Sequence, residues 1–419
     1  MILGVIADDF TGATDVASML VRAGMRTVQL IGVPHDDAAP SADALVIALK
    51  SRTVPAAQAV TESLAALRWL QRAGARQFYF KYCSTFDSTP AGNIGPVAEA
   101  LLEALDADFA IACPAFPENG RTVFRGHLFV GDQLLSDSGM RDHPLTPMTD
   151  ANLVRVLQAQ SRAAVGLVRH DIVAAGAEAV RGRFDELRAD GVRLAVADAI
   201  ADADLRVLAE ACAGLPLITA GSGVALGLPS VYAARGWLRP DAAAASLPAV
   251  GGHAAVVSGS CSTATNAQVR HWLEAGRPAF RIDARALAAG EPVAAQALDF
   301  AAARLPHEAA LVYATASPED VKAVQAALGA ERAGALVEEC LAEVAASLVH
   351  AGVRRLVVAG GETSGAVVQA LGVRVLRIGA TIAPGVPWTQ AEGRPLLLAL
   401  KSGNFGAADF FSRALAQVA

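Results

Sequence analysis

The sequence has few aromatic residues and few cysteines. Phe, Trp and Tyr make up 5% of the 419 residues, and the five cysteines are scattered without CxxC or Cys/His spacing. Neither a zinc site nor a disulfide framework is encoded by such spacing. We expect reduced, mostly buried thiols at all five positions, which are Cys83, Cys113, Cys212, Cys261 and Cys340.

Positive charge and long apolar runs are also scarce. The 35 Lys and Arg residues stand against 41 Asp and Glu, and this net charge of −6 provides no basic field for nucleic acid or an anionic membrane. The best candidate for a membrane span, 211–234, is broken repeatedly by glycine and proline. Residues 1–7 contain no Lys or Arg and lead directly into two aspartates, unlike a signal peptide. We therefore predict a cytoplasmic protein without a nucleic-acid or membrane partner.

Two common nucleotide-binding fingerprints are absent. The chain has no GxxxxGK[ST] and no GxGxxG after its first strand, which argues against a P-loop enzyme and a dinucleotide-dependent dehydrogenase. Short apolar runs instead alternate with amphipathic stretches, a pattern that predicts α/β units with largely parallel sheets. A stretch rich in Pro, Ala and Gly over 236–252 resembles a linker. We predict two domains, 1–235 and 253–419, each a mostly parallel sheet flanked by helices.

Three local elements can be assigned in more detail. The pattern predicts a first helix over 14–23, and the Gly131-Asp132 turn between apolar flanks predicts a β-hairpin within 124–135. Asp150 is placed to cap a helix that runs to about Gln160.

Small-residue loops follow three predicted strands of the C-terminal half, at 258–262, 360–365 and 401–406. Ligands bind outside the carboxyl ends of strands in open α/β sheets, and backbone N–H groups at a helix start attract phosphate. Any one loop could be a purely steric turn, but three in one domain favour a nucleotide site. The residues best suited to phosphate are Ser258, Ser260, Gly360, Gly361, Thr363, Gly403 and Asn404.

Two adjacent carboxylates, Asp8 and Asp9, follow the first predicted strand. They would be costly if merely buried, so one is a candidate for binding a hydroxyl or acting as a base. Because adjacent residues of an extended segment point in opposite directions, we do not expect both to reach one atom. The alternative is that one Asp caps the helix beginning near Gly12.

A second polar cluster follows the strand that ends at Lys81. It combines a cation, hydroxyls and a carboxylate, which suits a polyhydroxylated acid whose carboxylate would pair with the lysine. The candidate substrate-binding residues are Lys81, Ser84, Thr85 and Asp87, with Arg52 and Arg121 after two other strands. The alternatives are an ordinary turn before Pro90 and solvated arginines.

A third polar segment, 138–147, is rigidified by Pro144 and Pro147 and is a candidate for closing over a substrate. His143 within it and His127 before it are candidate acid–base groups. Their alternative is a surface or core-edge position.

Together these segments resemble the four-carbon acid sugar kinase family over nearly the whole chain. The resemblance is carried by ADDFTGATD at 7–15, KYCSTFDST at 81–89, GGETSG at 360–365 and KSGNFG at 401–406. Residues 126–132 and 138–149 are similar to the 3-oxo-tetronate kinase branch of that family.

The resemblance implies an N-terminal domain that binds the sugar acid, a C-terminal domain that binds ATP, and a reaction in the cleft between them. ATP would phosphorylate the C4 hydroxyl of 3-dehydro-L-erythronate or 3-dehydro-D-erythronate. Mg²⁺ would offset the phosphate charge, and Asp8 or Asp9 would orient or deprotonate the hydroxyl. ATP contacts carry over to Ser258, Gly360, Gly361, Glu362, Thr363 and Gly403.

Several alternatives stay open. The same chemistry could act on D-erythronate or L-threonate, or the chain could be a non-catalytic sugar-acid sensor with a degenerate nucleotide domain. No metal site made by the protein alone is expected, and a homodimer is one option for the assembly.

Overall fold

Apolar runs at Leu3–Ala7 and Ala44–Ala48 form strands in which every residue is buried. Such runs are typical of parallel strands covered by helices on both faces, because both faces then need apolar side chains. The computed structural model describes residues 1–36, 38–143 and 145–418, and it separates into two units, Met1–Ala245 and Ser246–Ala419. The division falls within the linker-like stretch 236–252.

The first unit is built on a parallel sheet with the strand order β2-β3-β1-β4-β11-β5-β10-β9. A small antiparallel sheet has the order β6-β7-β8. The strands are β1 (Leu3–Ala7), β2 (Thr27–Ile31), β3 (Ala44–Ala48), β4 (Gln77–Lys81), β5 (Ala110–Cys113), β6 (Arg121–Phe124), β7 (His127–Val130), β8 (Gln133–Leu134), β9 (Ala164–Val168), β10 (Val192–Ala197) and β11 (Leu217–Ala220). The helices are α1 (Phe10–Arg22), α2 (Ala56–Arg72), α3 (Ile94–Ala104), α4 (Leu153–Gln158), α5 (His170–Ala174), α6 (Ala177–Ala189), α7 (Asp202–Ala211) and α8 (Leu228–Ala234).

The second unit has a mixed sheet with the order β13-β14-β12-β15-β18-β17-β16. Its pairs are parallel from β13 to β18, and β17 is antiparallel to both of its neighbours. The strands are β12 (His253–Ser258), β13 (Ala279–Arg281), β14 (Ala310–Tyr313), β15 (Val353–Ala359), β16 (Val375–Ala383), β17 (Val386–Ala391) and β18 (Leu397–Lys401). The helices are α9 (Thr263–Glu274), α10 (Ala284–Ala288), α11 (Val293–Ala302), α12 (Pro318–Leu328), α13 (Ala330–His350), α14 (Gly361–Ala370) and α15 (Phe410–Gln417).

The local predictions are partly confirmed. Strands β7 and β8 form the predicted hairpin, and β6 extends it by one strand. Helix α1 begins four residues earlier than predicted, because Asp9 caps it. The prediction that Asp150 caps the next helix was wrong: Asn152 accepts the hydrogen bond from Arg155 N, whereas the carboxylate of Asp150 accepts from Asn152 N and pairs with the Arg155 side chain.

Both units bury large aromatic side chains in their cores. Trp69 and Tyr79 are fully buried in the first unit, and Trp272, Trp388 and Phe410 in the second. The five cysteines are free thiols; three are buried and two half-buried. Within 1–36, 38–143 and 145–418, no helix is both long and apolar enough to cross a membrane.

Candidate active site

Polar side chains gather at the carboxyl ends of β3, β1, β4 and β5. The first three strands are neighbours in the sheet, and β5 lies two strands beyond β4. The chain therefore brings Arg52, the Asp8-Asp9 pair, Lys81 and Arg121 to the same edge, because parallel strands end on the same side. This edge of the first unit is the candidate sugar-acid site.

Arg52 binds both adjacent aspartates. Its Nε and Nη2 donate to the two carboxylate oxygens of Asp8 at 2.9 and 2.7 Å, and the same Nη2 donates to Oδ1 of Asp9 at 2.7 Å. The expectation that both carboxylates would not reach one atom was wrong, because the chain turns into α1 at Asp9 and the alternation of an extended strand stops there. The guanidinium is largely buried, so the interpretation as a solvated loop arginine was also wrong.

The two aspartates differ in their other partners. Asp9 is the N-cap of α1: its Oδ1 accepts from Gly12 N and its Oδ2 from the Thr11 hydroxyl, both at 2.8 Å. Burial alone would raise the pKa of Asp9, but Arg52, Lys81 and these hydrogen bonds together lower it. Burial raises the pKa of Asp8, and Arg52 offsets part of that effect. The Asp8 side chain is 4% exposed and that of Asp9 is 20% exposed, so Asp9 is the more accessible carboxylate.

The segment that follows β4 is held in a tight, polar turn. The Thr85 hydroxyl donates to Oδ1 of Asp87 at 2.7 Å, and Arg52 Nη1 lies 3.7 Å from Oδ2 of Asp87. Phe86 and Asp87 have φ angles of 64° and 46°, in the left-handed region. The segment is therefore an ordered turn, as the structural alternative proposed, and its carboxylate also joins the arginine cluster.

Asn93 supports the Arg52 loop and was not singled out from the sequence. Its Nδ2 donates to the backbone oxygens of Ser51, Arg52 and Val54 at 2.8, 3.2 and 3.1 Å. Asn93 is itself buried. One amide thus fixes the backbone from which the guanidinium extends, but no sequence signal distinguishes this Asn from an ordinary helix-start residue.

Asp15 is a second residue of this edge that the sequence did not identify as a site candidate. Ser222 donates to its Oδ2 at 2.5 Å, whereas its Oδ1 is buried without a hydrogen-bond partner among the described residues. Burial raises the pKa of Asp15 to about 6, although Lys81 acts in the opposite direction. Asp15 lies three residues after Gly12 on α1 and shares its face. A Cβ at Gly12 would lie 2.9 Å from Lys81 Nζ, so this face of α1 lies beside the lysine.

Lys81 and Arg121 supply further positive charge at this edge. Lys81 is buried, and its Nζ donates to Tyr82 O at 2.9 Å. Arg121 donates to Asn119 O through Nη1, while its Nε and the Asn119 Nδ2 are buried without partners among the described residues. Burial lowers the pKa of Arg121. These donors are suited to a carboxylate or hydroxyl ligand.

The two candidate histidines make local hydrogen bonds. His127 Nδ1 donates to Arg125 O at 2.9 Å, and His143 Nδ1 accepts from Thr146 N at 3.2 Å. Of the two prolines that would rigidify this segment, Pro144 lies outside the described residues. The roles of 138–147 as a closing segment and of both histidines as acid–base groups stay predictions.

The small-residue loops of the second unit lie side by side. Strands β12, β15 and β18 are adjacent, and the three loops leave their carboxyl ends. Ser258 is buried with its hydroxyl 2.7 Å from that of Thr315. A Cβ at Gly259 would lie 2.3 Å from Thr363 Oγ1, and one at Gly403 would lie 2.5 Å from Ser260 Oγ. The chain therefore needs glycine where the loops approach each other.

The second loop leads directly into a helix. Gly360 has a φ of 128° and precedes α14, whose first residues are Gly361, Glu362 and Thr363. The structure thus brings the predicted ATP residues together at one sheet edge with a helix start. Such an edge offers backbone N–H groups to phosphate.

Lys401, the last residue of β18, lies beneath the third loop. In the sequence it stands out only as the first residue of the KSGNFG motif. It is fully buried, and its Nζ donates to Thr265 Oγ1, Ser402 O and Gly403 O at 3.0, 2.9 and 2.8 Å. Burial lowers the pKa of Lys401 to about 7. Its position directly before a glycine-containing loop is the sequence signal that could have indicated a role at the nucleotide site.

Two family models match the chain, one in each unit. A model described as a sugar-binding N-terminal domain matches residues 3–228, and one described as a nucleotide-binding C-terminal domain matches residues 255–411. These matches include the arginine–aspartate cluster and the three glycine loops, respectively.

Two curated relatives and a solved structure are similar over nearly the whole chain. The 3-oxo-tetronate kinases of Cupriavidus necator and Pseudomonas fluorescens are each 67% identical to this chain, covering 100% of it and 97% of the relative. A crystal structure of a Salmonella typhimurium LT2 protein, provisionally described as a tRNA synthase, is 45% identical. The superposition covers 99% of each of the two chains, with a TM-score of 0.87.

Proposed function

Because this chain belongs to the four-carbon acid sugar kinase family, we propose that it transfers the γ-phosphoryl group of ATP to the C4 hydroxyl of a 3-oxo-tetronate. The products are the 4-phosphate and ADP. The observation that carries the proposal is the identity of 65–67% to four 3-oxo-tetronate kinases over 99–100% of the chain. A tRNA substrate is disfavoured, since the net charge is −6 and a polyanionic RNA needs a basic surface.

The sugar acid is proposed to bind at the arginine–aspartate edge of the first unit. Lys81 and Arg121 are suited to bind its carboxylate. Lys81 is a buried cation, and the Nε of Arg121 is a buried donor without a hydrogen-bond partner among the described residues. Ser84, Thr85 and Asp87 provide hydroxyl and carboxylate groups for its hydroxyls. Arg52 is proposed to act mainly by holding three carboxylates in position, because Asp8, Asp9 and Asp87 already occupy its guanidinium.

Asp9 is the better candidate than Asp8 for contacting the attacking hydroxyl. Both oxygens of Asp8 accept from Arg52, and the side chain is almost entirely buried. Asp9 is partly exposed and lies beside Lys81, with its carboxylate fixed by α1. In phosphoryl transfer, orientation of the nucleophile and charge stabilisation dominate, so a carboxylate with a lowered pKa can serve by orienting the hydroxyl.

ATP is proposed to bind the three loops of the second unit, through Ser258, Gly360, Gly361, Glu362, Thr363 and Gly403. Among the described residues, no group of three or more His, Cys, Asp and Glu side chains could hold a metal ion. The loops offer hydroxyls, backbone groups and the exposed carboxylate of Glu362, a donor set that fits Mg²⁺ held chiefly by phosphate oxygens and water. When bound, Mg²⁺ neutralises charge on the β- and γ-phosphates. A cytoplasmic location and a homodimer stay predictions.

The test is ADP release by the purified full chain with Mg²⁺ and ATP. The two 3-dehydro-erythronates, D-erythronate and L-threonate are compared at equal concentrations, with an enzyme-free reaction as control. Turnover confined to the two oxo acids supports the proposal. Turnover on D-erythronate or L-threonate instead keeps the kinase and changes the substrate. If the chain binds ATP and a sugar acid but releases no ADP with any of the four acids, the sugar-acid sensor is favoured.

A further inference from the structure

Lys401 is a buried cation whose three hydrogen-bond partners are all neutral oxygens. Its Nζ donates to Thr265 Oγ1, Ser402 O and Gly403 O, which uses all three N–H bonds of an ammonium group. No carboxylate of the described residues forms an ion pair with it. A lysine buried in this way is costly unless its charge is matched by something that binds.

Two of these bonds fix the orientation of the third glycine loop. In a trans peptide the carbonyl and the following N–H point in opposite directions. Ser402 O and Gly403 O are both drawn toward Nζ, so the N–H groups of Gly403 and Asn404 point away from it. Neither N–H donates to another of the described residues, and both residues are at least partly exposed.

The Gly403 carbonyl is held more firmly than one lysine could hold it. The hydroxyls of Ser262 and Thr265 donate to it at 2.6 and 2.9 Å, in addition to Nζ at 2.8 Å. Ser402 O, in contrast, has two donors: Lys401 Nζ at 2.9 Å and, more weakly, Phe405 N at 3.2 Å. Removal of the ammonium group should therefore release the Ser402–Gly403 peptide first, while the rest of the loop stays anchored.

We propose that Lys401 is a positioning residue of the nucleotide site, which turns the Gly403 and Asn404 N–H groups toward the ATP phosphates and places a positive charge behind them. This inference rests on the proposed function, because it requires that the loop binds ATP. Consecutive backbone N–H groups backed by a cation form an anion-binding concavity, and this one does not use the Walker lysine arrangement.

The charge of Lys401 provides a readout that a purely structural lysine would lack. Burial lowers its pKa to about 7, so the free protein loses the ammonium above neutral pH. Bound polyphosphate favours the ammonium form, and ATP binding above pH 7 then takes up a proton. The nearby titratable groups on the packed elements are Cys261 before α9 and Glu362 on α14; Arg355 on β15 and His271 on α9 lie toward the opposite ends of their elements.

The experiment measures the Kd for ATP and ADP by calorimetry on the full chain between pH 7.5 and 9, above the second pKa of phosphate, near 6. The wild-type Kd is expected to rise by up to about tenfold per pH unit. In Lys401→Met, which keeps the volume and removes the donors, the Kd at pH 7.5 is expected to be about tenfold higher and flat with pH. Lys401→Gln restores donors without charge, so its Kd is expected between the two and equally flat.

Lys322→Met is the matched control, because it removes an exposed lysine from the same unit. It should leave both the Kd and its pH dependence unchanged. Thermal unfolding of each variant verifies that it folds. A wild-type affinity in Lys401→Met, or the same pH dependence in wild type and both Lys401 variants, overturns the inference while leaving the kinase intact. Failure of wild type to bind ATP at pH 7.5 overturns the proposed function and this inference with it.

Discussion

Arg52 and Asp8 form a two-point ion pair, with Nε and Nη2 of the arginine 2.9 and 2.7 Å from the two carboxylate oxygens. This geometry orients the guanidinium plane, so that the shared Nη2 also meets Asp9 and Nη1 faces Asp87. The arginine thus sets the relative positions of three carboxylates, two that follow β1 and one in the turn after β4.

We expect Arg52→Met to destabilise the protein by about 3 kcal/mol or more, because it leaves buried carboxylates without their cation. Arg169→Met removes an exposed pair with Asp171 and should cost no more than about 1 kcal/mol. Urea unfolding of the two variants at pH 7 measures the difference. Equal midpoints would show that the cluster contributes nothing beyond a surface ion pair.

Asp9→Asn is expected to lower turnover at least about a hundredfold while ATP affinity stays within twofold of wild type. Asn keeps the helix cap, but it removes the negative charge that pairs with Arg52, so we expect a loss of stability of about 1–3 kcal/mol at pH 7. Steady-state kinetics with saturating ATP, together with thermal unfolding, separates the two effects. A near-normal rate would remove Asp9 from the reaction and direct attention to Asp15.

Asp15→Asn is expected to stabilise the protein at pH 8. The folded pKa of about 6 lies above the ordinary value of 3.8, so Asp15 favours folding when protonated, and this stability is lost as the pH rises from about 4 to about 6. An uncharged Asn avoids that loss, which amounts to about 3 kcal/mol at most.

The measurement for Asp15 is the unfolding midpoint of wild type, Asp15→Asn and the exposed control Asp132→Asn at pH 4.5 and pH 8. Only Asp15→Asn should gain stability at pH 8, and the gain should shrink at pH 4.5. Lower activity in the stabilised variant would indicate that the buried charge is retained for function. A variant less stable than wild type at pH 8 would contradict the sign of the pKa shift.

Gly403→Val is expected to raise the Kd for ATP at least about tenfold, because even a Cβ would lie 2.5 Å from Ser260 Oγ and the loop must move away from the phosphates. Sugar-acid binding should not change. Gly334→Val on α13, where a Cβ meets nothing within 4 Å, is the matched control. Unaltered ATP affinity in Gly403→Val would exclude the third loop from the nucleotide site.

The sequence predicts which residues lie at the sheet edges better than it predicts how they interact. Apolar runs and glycine loops are local signals, so the strands and the convergence of strand-end residues such as Lys81 follow from them. The shared contact of Asp8 and Asp9 with Arg52 depends on a turn into a helix and on a partner 43 residues away. The burial of the Asp15 and Lys401 side chains is a property of the tertiary structure, and the residue types alone do not indicate it.

The left-handed backbone of Phe86 and Asp87 has a consequence for ligand recognition. Two consecutive non-glycine residues in this region each cost about 1 kcal/mol or more, and the hydrogen bond from Thr85 and the cation of Arg52 hold them there. This conformational cost belongs to folding and not to ligand binding. The turn presents its carboxylate in a fixed direction, so a small, flexible acid can bind without the loss of entropy that ordering a mobile loop would add.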